Sequence, residues 1–138
     1  MRRKISIKKI SQLLDPVFNK YHVKLAYIFG SYARGNQIKE SDIDIAILLD
    51  ESKPESERFA LRLKIAGDFS LLLKNNVDLI ILNDTSSVTF KYSIIHEGKL
   101  LFQEESDKVK FEIGAMNNYF DLLPFFDLYN QNYVQANL

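Results

Sequence analysis

The eight residues Asp42–Leu49, DIDIAILL, constrain this chain more than any other stretch. Their period of two makes them a strand, with Asp42, Asp44 and Ala46 on one face and Ile43, Ile45 and Ile47 on the other. The isoleucines explain why the strand is buried on one side. The aspartates need a separate reason, because two carboxylates about 7 Å apart on one strand face repel each other. A divalent cation with oxygen ligands removes that cost; an edge strand with its polar face in water is the alternative. What precedes the strand favours the cation. Val23–Phe29 (VKLAYIF) is a buried strand that stops abruptly at Gly30-Ser31, and ten residues separate Ser31 from Asp42. A strand running into Gly-Ser and a helix start makes an anion cradle, since glycine lets the backbone approach and the free first-turn N–H groups point outward. Ser31 is expected to cap a short helix through Ala33-Arg34, with Gly35 closing it.

A third strand, Val77–Leu82 (VDLIIL), puts Val77, Leu79 and Ile81 on one face and Asp78 with Ile80 and Leu82 on the other. A charge at the start of an otherwise apolar strand wants a partner. If this strand lies beside Asp42–Leu49, Asp78 completes a cluster of three carboxylates. Spacings of three and four through Ile10, Leu13, Leu14, Val17, Phe18 and Tyr21 predict a helix over Ser6–Lys20, which Pro16 should kink or restart. A second helix is expected from about Glu55 to Lys74, with Phe59, Leu63, Ala66, Phe69 and Leu73 as its apolar stripe. Asp84–Ser87 reads as a turn and cap before a short helix, Val88–His96, and then a short strand, Lys99–Phe102.

Residues 1–103 then form the core, and residues 104–138 a helical segment of the same domain. That segment is expected to be helical to about Tyr129 and bent at Pro124. It carries one stripe of Val109, Ile113, Met116, Phe120 and Leu123, and another of Phe111, Ala115, Tyr119, Leu122, Phe126 and Tyr129. A helix apolar on two sides either sits deep in a core or meets another protein; in so small a domain and at a chain end a partner surface is the expectation, with packing on the domain's own sheet as the rival.

With 138 residues, 46% of them apolar, the chain can bury one core and is read as one domain. Eighteen basic residues balance eighteen acidic ones, which argues against a domain whose main work is neutralising a nucleic-acid backbone. The absence of cysteine excludes disulfides and thiolate metal sites. His22 and His96 are far apart, without a companion at ligand spacing, and are read as surface or packing residues. No apolar run approaches the roughly 20 residues that span a bilayer. The basic start, MRRKISIKKI, lacks the apolar core of a signal peptide, so a cytoplasmic location is expected.

Gly30-Ser31, ten residues, Asp42-x-Asp44 and a later strand aspartate, Asp78, together resemble the signature of the DNA-polymerase-β-like nucleotidyltransferases. The fuller wording, FGSYARG, SDIDIAILL, VDLIIL and EGKLLF, is similar to the minimal nucleotidyltransferase (MNT) domain proteins, from about Ile5 to Tyr129. The resemblance implies a small α/β (α+β) domain with the palm-like nucleotidyltransferase fold: a mixed, twisted sheet with helices on one side, here followed by a C-terminal helix. It also implies an antitoxin that transfers AMP from ATP to a tyrosine hydroxyl of a cognate HEPN-domain ribonuclease toxin, in a hetero-oligomer with it. Two Mg²⁺ ions would be held by Asp42 and Asp44, with Asp78 sharing the metal on the nucleophile side. Gly30 and Ser31 would cradle the β- and γ-phosphates. Arg34 would pair with the leaving phosphates, or else form a salt bridge to Glu40 or Asp50. Ser41 is read as a turn residue. Two other readings stand beside this one: a module that silences its partner by occlusion alone, and a nucleotidyltransferase acting on a small molecule such as an aminoglycoside.

Overall fold

A computed structural model describes residues 5–36 and 42–136, with the side chains of Asp127 and residues 130–136 left aside. Ser41 and Glu40, for which the sequence suggested roles, lie outside the described residues. The chain runs α1 (Ile7–Lys20), β1 (Val23–Phe29), α2 (Ser31–Arg34), β2 (Ile43–Leu49), α3 (Glu55–Leu73) and β3 (Val77–Ile81). A 3-10 turn (Leu82–Asp84), α4 (Val88–Glu97), β4 (Lys99–Gln103) and α5 (Glu105–Ala136) follow. The strands form one sheet in the order β3-β2-β1-β4. β1 pairs antiparallel with β2 and β4, while β2 and β3 run parallel. The sheet is therefore mixed, as expected.

The alternation read in the strands separates two apolar layers. Ile43, Ile45, Ile47, Leu79 and Ile81 point to one face, where Ile10, Leu14 and Phe18 of α1 meet Ile65, Phe69 and Leu73 of α3. Phe18 and Phe69 meet edge-on at 5.7 Å between ring centres, a favoured aromatic arrangement. Leu25, Tyr27, Ala46 and Leu82 point to the other face, where they meet Phe90 and Ile94 of α4 and Phe111 of α5. Helices on one side thus describes α1 and α3 only; α4 and α5 lie against the opposite face. The reason is that only the aspartate end of that face is polar. Its remainder is apolar and must be covered.

Ser6 caps α1, its hydroxyl accepting from the Lys9 N–H at 3.1 Å. Pro16 neither divides nor restarts that helix. It sits on the exposed side, and burial of Leu14, Val17 and Phe18 around it carries the helix through the missing hydrogen bond. α3 departs further from expectation: Phe59 and Leu63 are 63% and 59% exposed, and only Phe69 and Leu73 of the expected stripe are buried. Polar anchors set its roll. Arg58 pairs with Asp84, Arg62 donates to the Leu79 carbonyl at 3.4 Å, and the Tyr21 hydroxyl donates to Asp68 at 2.7 Å. α5 buries Ala115 and stacks Tyr119 on Tyr92 at 3.8 Å, so one of its two stripes packs on its own domain. The other stripe leaves Val109, Ile113 and Phe120 about half exposed. Pro124 does not end the helix, which continues past Tyr129 to Ala136. Among the described residues, no helix is long and apolar enough to cross a membrane.

Candidate active site

The acidic residues meet where β1, β2 and β3 come together at one end of the sheet. Asp44 stands in register with Asp78 on the parallel neighbour β3 and with Phe29 on the antiparallel neighbour β1. Asp42 immediately precedes β2 and is exposed, Asp78 is exposed on β3, and Asp44 between them is partly buried. Burial first, then the charges of Asp78 and Asp42, push the Asp44 carboxyl above its ordinary range, and Arg34 pulls it partly back. Four of the residues singled out from the sequence therefore share one electrostatic neighbourhood.

Gly30 ends β1 with φ of +70°, in the region that side chains rarely adopt, and a Cβ there would collide with the Asp44 carboxylate. The backbone at Gly30 thus lies directly against the central acid, and only glycine permits it. Gly30 is also the N-cap of α2, and Ser31 is the first helical residue rather than the cap. The displacement follows from geometry: the chain must turn at the residue that touches Asp44, so the helix starts one position later. The Gly30 carbonyl accepts from the Arg34 N–H at 3.1 Å, and Gly35 closes the turn with φ of +76°. In so short a helix the first-turn N–H groups have no partner one turn back.

Tyr32 holds this turn in place, and sequence reasoning passed over it. Its ring is buried in the layer shared with α1 and α3. Burial pushes its hydroxyl pKa up, partly offset by the neighbouring Asn75 side chain. A bulky aromatic directly after Gly-Ser, on a helix of four residues, was the available signal. Arg34 is exposed and acts on Asp44 through its charge. Asp50 lies at the far end of β2, 3.8 Å from Lys24, and is not the partner of Arg34. His22 is exposed, and His96 stacks on Tyr92 at 5.7 Å, as befits surface and packing roles.

A cleft of about 280 Å³ adjoins the Gly30 turn, lined there by Phe29, Ala33 and Arg34 and on the α4 side by Phe90, Ser93 and Glu97. A roomier cleft of about 400 Å³ lies at the other end of β2, among Lys24, Leu48, Asp50, Lys110 and Phe111. Buried Ala46, together with Tyr27 donating its hydroxyl to Glu112 of α5, separates that cleft from the acids. The smaller cleft is the one that includes Gly30 and Arg34.

The donor chemistry fits a hard cation. Three carboxylates without sulfur or imidazole suit Mg²⁺, and the repulsion that adds to burial in raising Asp44 is the kind a bound cation relieves. Among the described residues no group of three acidic or histidine side chains is gathered closely enough to hold a metal unaided. Mg²⁺ commonly completes its shell with substrate phosphates and water, so the two observations agree.

The sequence profile described as "Polymerase beta, Nucleotidyltransferase" matches residues 9–107. The chain is 32% identical over 117 residues to the protein adenylyltransferase MntA of Shewanella oneidensis, spanning 85% of this chain and 79% of that one. A solved toxin–antitoxin structure, MntA–HpeT with two aspartate-to-glutamate substitutions two positions apart, is similar in fold. Its TM-score is 0.70 at 25% identity, over 94% of this chain and 99% of that one. A structure of the tri-AMPylated Shewanella oneidensis HEPN toxin with its MNT antitoxin also matches, with a TM-score of 0.63 at 25% identity over 94% and 96% of the two chains. Motif, strand register and profile agree, and the chain belongs to the polymerase-β nucleotidyltransferase family.

Proposed function

We propose that this chain is a Mg²⁺-dependent antitoxin that transfers AMP from ATP to a tyrosine hydroxyl of a cognate HEPN-domain toxin, a ribonuclease, and so neutralises it. The observation that carries the reading is the contact of Gly30 with Asp44, beside Asp78. It supports a reading in which the Gly30 backbone would receive phosphates beside the carboxylates that would organise the reacting phosphorus. The named activity of the MntA relative and the AMPylated toxin seen with the MNT antitoxin support AMP as the group and a HEPN toxin as the acceptor.

The tyrosine oxygen attacks the α-phosphorus of ATP, a new P–O bond forms, the bond to the β-phosphate oxygen breaks, and pyrophosphate leaves. Asp42 and Asp44 would hold two Mg²⁺ ions, with Asp78 contributing on the acceptor side. Bound there, Mg²⁺ would neutralise charge gathering on the phosphoryl oxygens. Asp78 takes the hydroxyl proton. Gly30 and Ser31 orient the β- and γ-phosphates through backbone N–H groups and the serine hydroxyl, and Arg34 offsets the charge of the leaving pyrophosphate. The residue 104–138 segment belongs to the same domain. Its outward row of Val109, Ile113 and Phe120 gives the toxin an apolar surface to hold. The reaction would proceed in the cytoplasm, where ATP and Mg²⁺ are abundant.

The test is the intact mass of the toxin after incubation with this chain, ATP and Mg²⁺, with Asp44→Asn in parallel. Added mass in whole AMP units with the wild type alone supports the transfer. A toxin silenced without added mass, equally by both proteins, replaces it with occlusion. Modification of an aminoglycoside by the chain without its partner replaces the acceptor.

A further inference from the structure

α5 lies on the same layer of the sheet as the acids. Leu25 and Tyr27 of β1, Ala46 of β2 and Phe111 of α5 pack together there, and the strand alternation sets Phe29 and Asp44 on that face as well. A polar pair stands within this apolar layer. Tyr27, only 3% exposed, donates its hydroxyl to one carboxylate oxygen of Glu112, and Lys108 one turn earlier holds the other oxygen at 3.4 Å. Burial first, and then Glu112, push the Tyr27 hydroxyl pKa up, so it stays a donor at neutral pH.

Packing alone would not choose this pair. A phenylalanine against a leucine would fill the same space without drawing a carboxylate out of water, and such replacements are often neutral or stabilising. What the pair adds is direction. Apolar contact has no preferred angle, so by itself it leaves a helix free to slide or roll a little. A hydrogen bond to a charged acceptor holds its two groups at one distance and angle. Among the described residues, this is the one side-chain hydrogen bond that joins α5 to the sheet.

Both ends of the bond are placed to matter. Tyr27 pairs with Ala46, and Phe29, two residues on, pairs with Asp44. The bond therefore leaves β1 about 7 Å along the strand from the central acid's register pair. At the other end, Glu112 lies three residues after Val109 and one before Ile113, between the packed side of α5 and its outward row. The strand that runs into Gly30 is thus fixed to the helix that carries that row.

We infer that Tyr27 and Glu112 are positioning residues for the transfer: their hydrogen bond sets the height and roll of α5, so that a toxin held on Val109, Ile113 and Phe120 presents its tyrosine to Asp78. This rests on the transferase reading above. The pair touches neither ATP nor the reacting atoms, and the row that holds the toxin stays on α5 when the bond is cut. Cutting it should therefore misplace the acceptor without releasing it.

The test uses the full chain and its toxin with Tyr27→Phe/Glu112→Leu, which removes both polar partners so that neither is left buried alone. Four quantities are read: the rate of AMP addition at saturating toxin, the affinity for toxin, the affinity for Mg²⁺-ATP, and the melting temperature. The expected result is a fall of about tenfold or more in the rate, with both affinities held within about threefold. The melting temperature should stay near that of the wild type. Glu112→Gln, whose amide oxygen still accepts from Tyr27, should transfer at the wild-type rate. Tyr27→Phe alone, assayed well below its melting transition, gives the same reading if the double variant folds poorly. An unchanged rate in the variants lacking the bond overturns the inference. So does Glu112→Gln as slow as the double variant, since charge rather than the hydrogen bond would then matter. A fall in Mg²⁺-ATP affinity that accounts for the lost rate also overturns it, because Tyr27 would then act on the nucleotide side. A wild type that binds the toxin and adds no AMP rejects the transferase reading itself, and the inference with it.

Discussion

Replacing Asp44 by Asn tests the site through stability as well as activity. Asp44 and Asp78 are register partners on adjacent strands, so their carboxylates stand on the order of 5 Å apart. At an effective dielectric between bulk water and a protein surface, two such charges repel by about 1–3 kcal/mol. The exposure of Asp78 favours the lower end, about 1 kcal/mol. The Asp44→Asn substitution removes this repulsion and keeps the size of the side chain, so without metal the variant should be the more stable, by about 3–5 °C in melting temperature for a chain of this length. The pH dependence has a definite sign. The Asp44 pKa is raised in the folded state, so the stability contributed by its proton is complete below the unfolded carboxyl value of about 4. It is lost as pH rises through the folded value. The gap between variant and wild type should therefore be absent near pH 4 and full at pH 8. Melting curves in chelator across that range measure it, and Mg²⁺-ATP should then raise the wild-type melting temperature more than that of the variant. A variant less stable than wild type at pH 8 in chelator would refute the reasoning, because Asp44 would then be a structural acceptor rather than a strained ligand.

Gly30→Ala should lower AMP transfer by about a hundredfold or more, because the new Cβ displaces the Asp44 carboxylate, and a misplacement of about 1 Å costs that much; circular dichroism should stay native. Ser31→Ala should cost about tenfold or less, since the backbone donors of the turn remain, and the toxin mass assay run as a time course measures both. Phe69→Ala removes a fully buried ring that meets Phe18 and should destabilise the fold by about 3–5 kcal/mol in urea titration. Its transfer rate at low temperature should hold where the protein remains folded, which separates core from site.

The strands, the face each aspartate occupies and the Gly-Ser turn were legible in the sequence because they depend on local backbone periodicity. Asp42 and Asp44 needed only a period of two to fall on one face, and the structure places Ile43, Ile45 and Ile47 on the other. The exposure of Phe59 and Leu63 was not legible. α3 is apolar on more than one side, and periodicity alone cannot say which side meets the sheet; the anchors at Arg58, Arg62 and Tyr21 decide it. α4 and α5 on the second face escaped prediction for a related reason. A strand pattern shows that a face is apolar without showing which helix will cover it.

The chain by itself determined the chemistry it carries: which residue types it has, in what order, and on which side of each strand. Tertiary structure alone decided that β3 pairs with β2, which sets Asp78 beside Asp44, and that Gly30 lies so close to that acid that a side chain there would displace its carboxylate. Strand order and register are long-range choices, settled by which apolar faces can be buried together. Residues 34 positions apart become neighbours only once that choice is made.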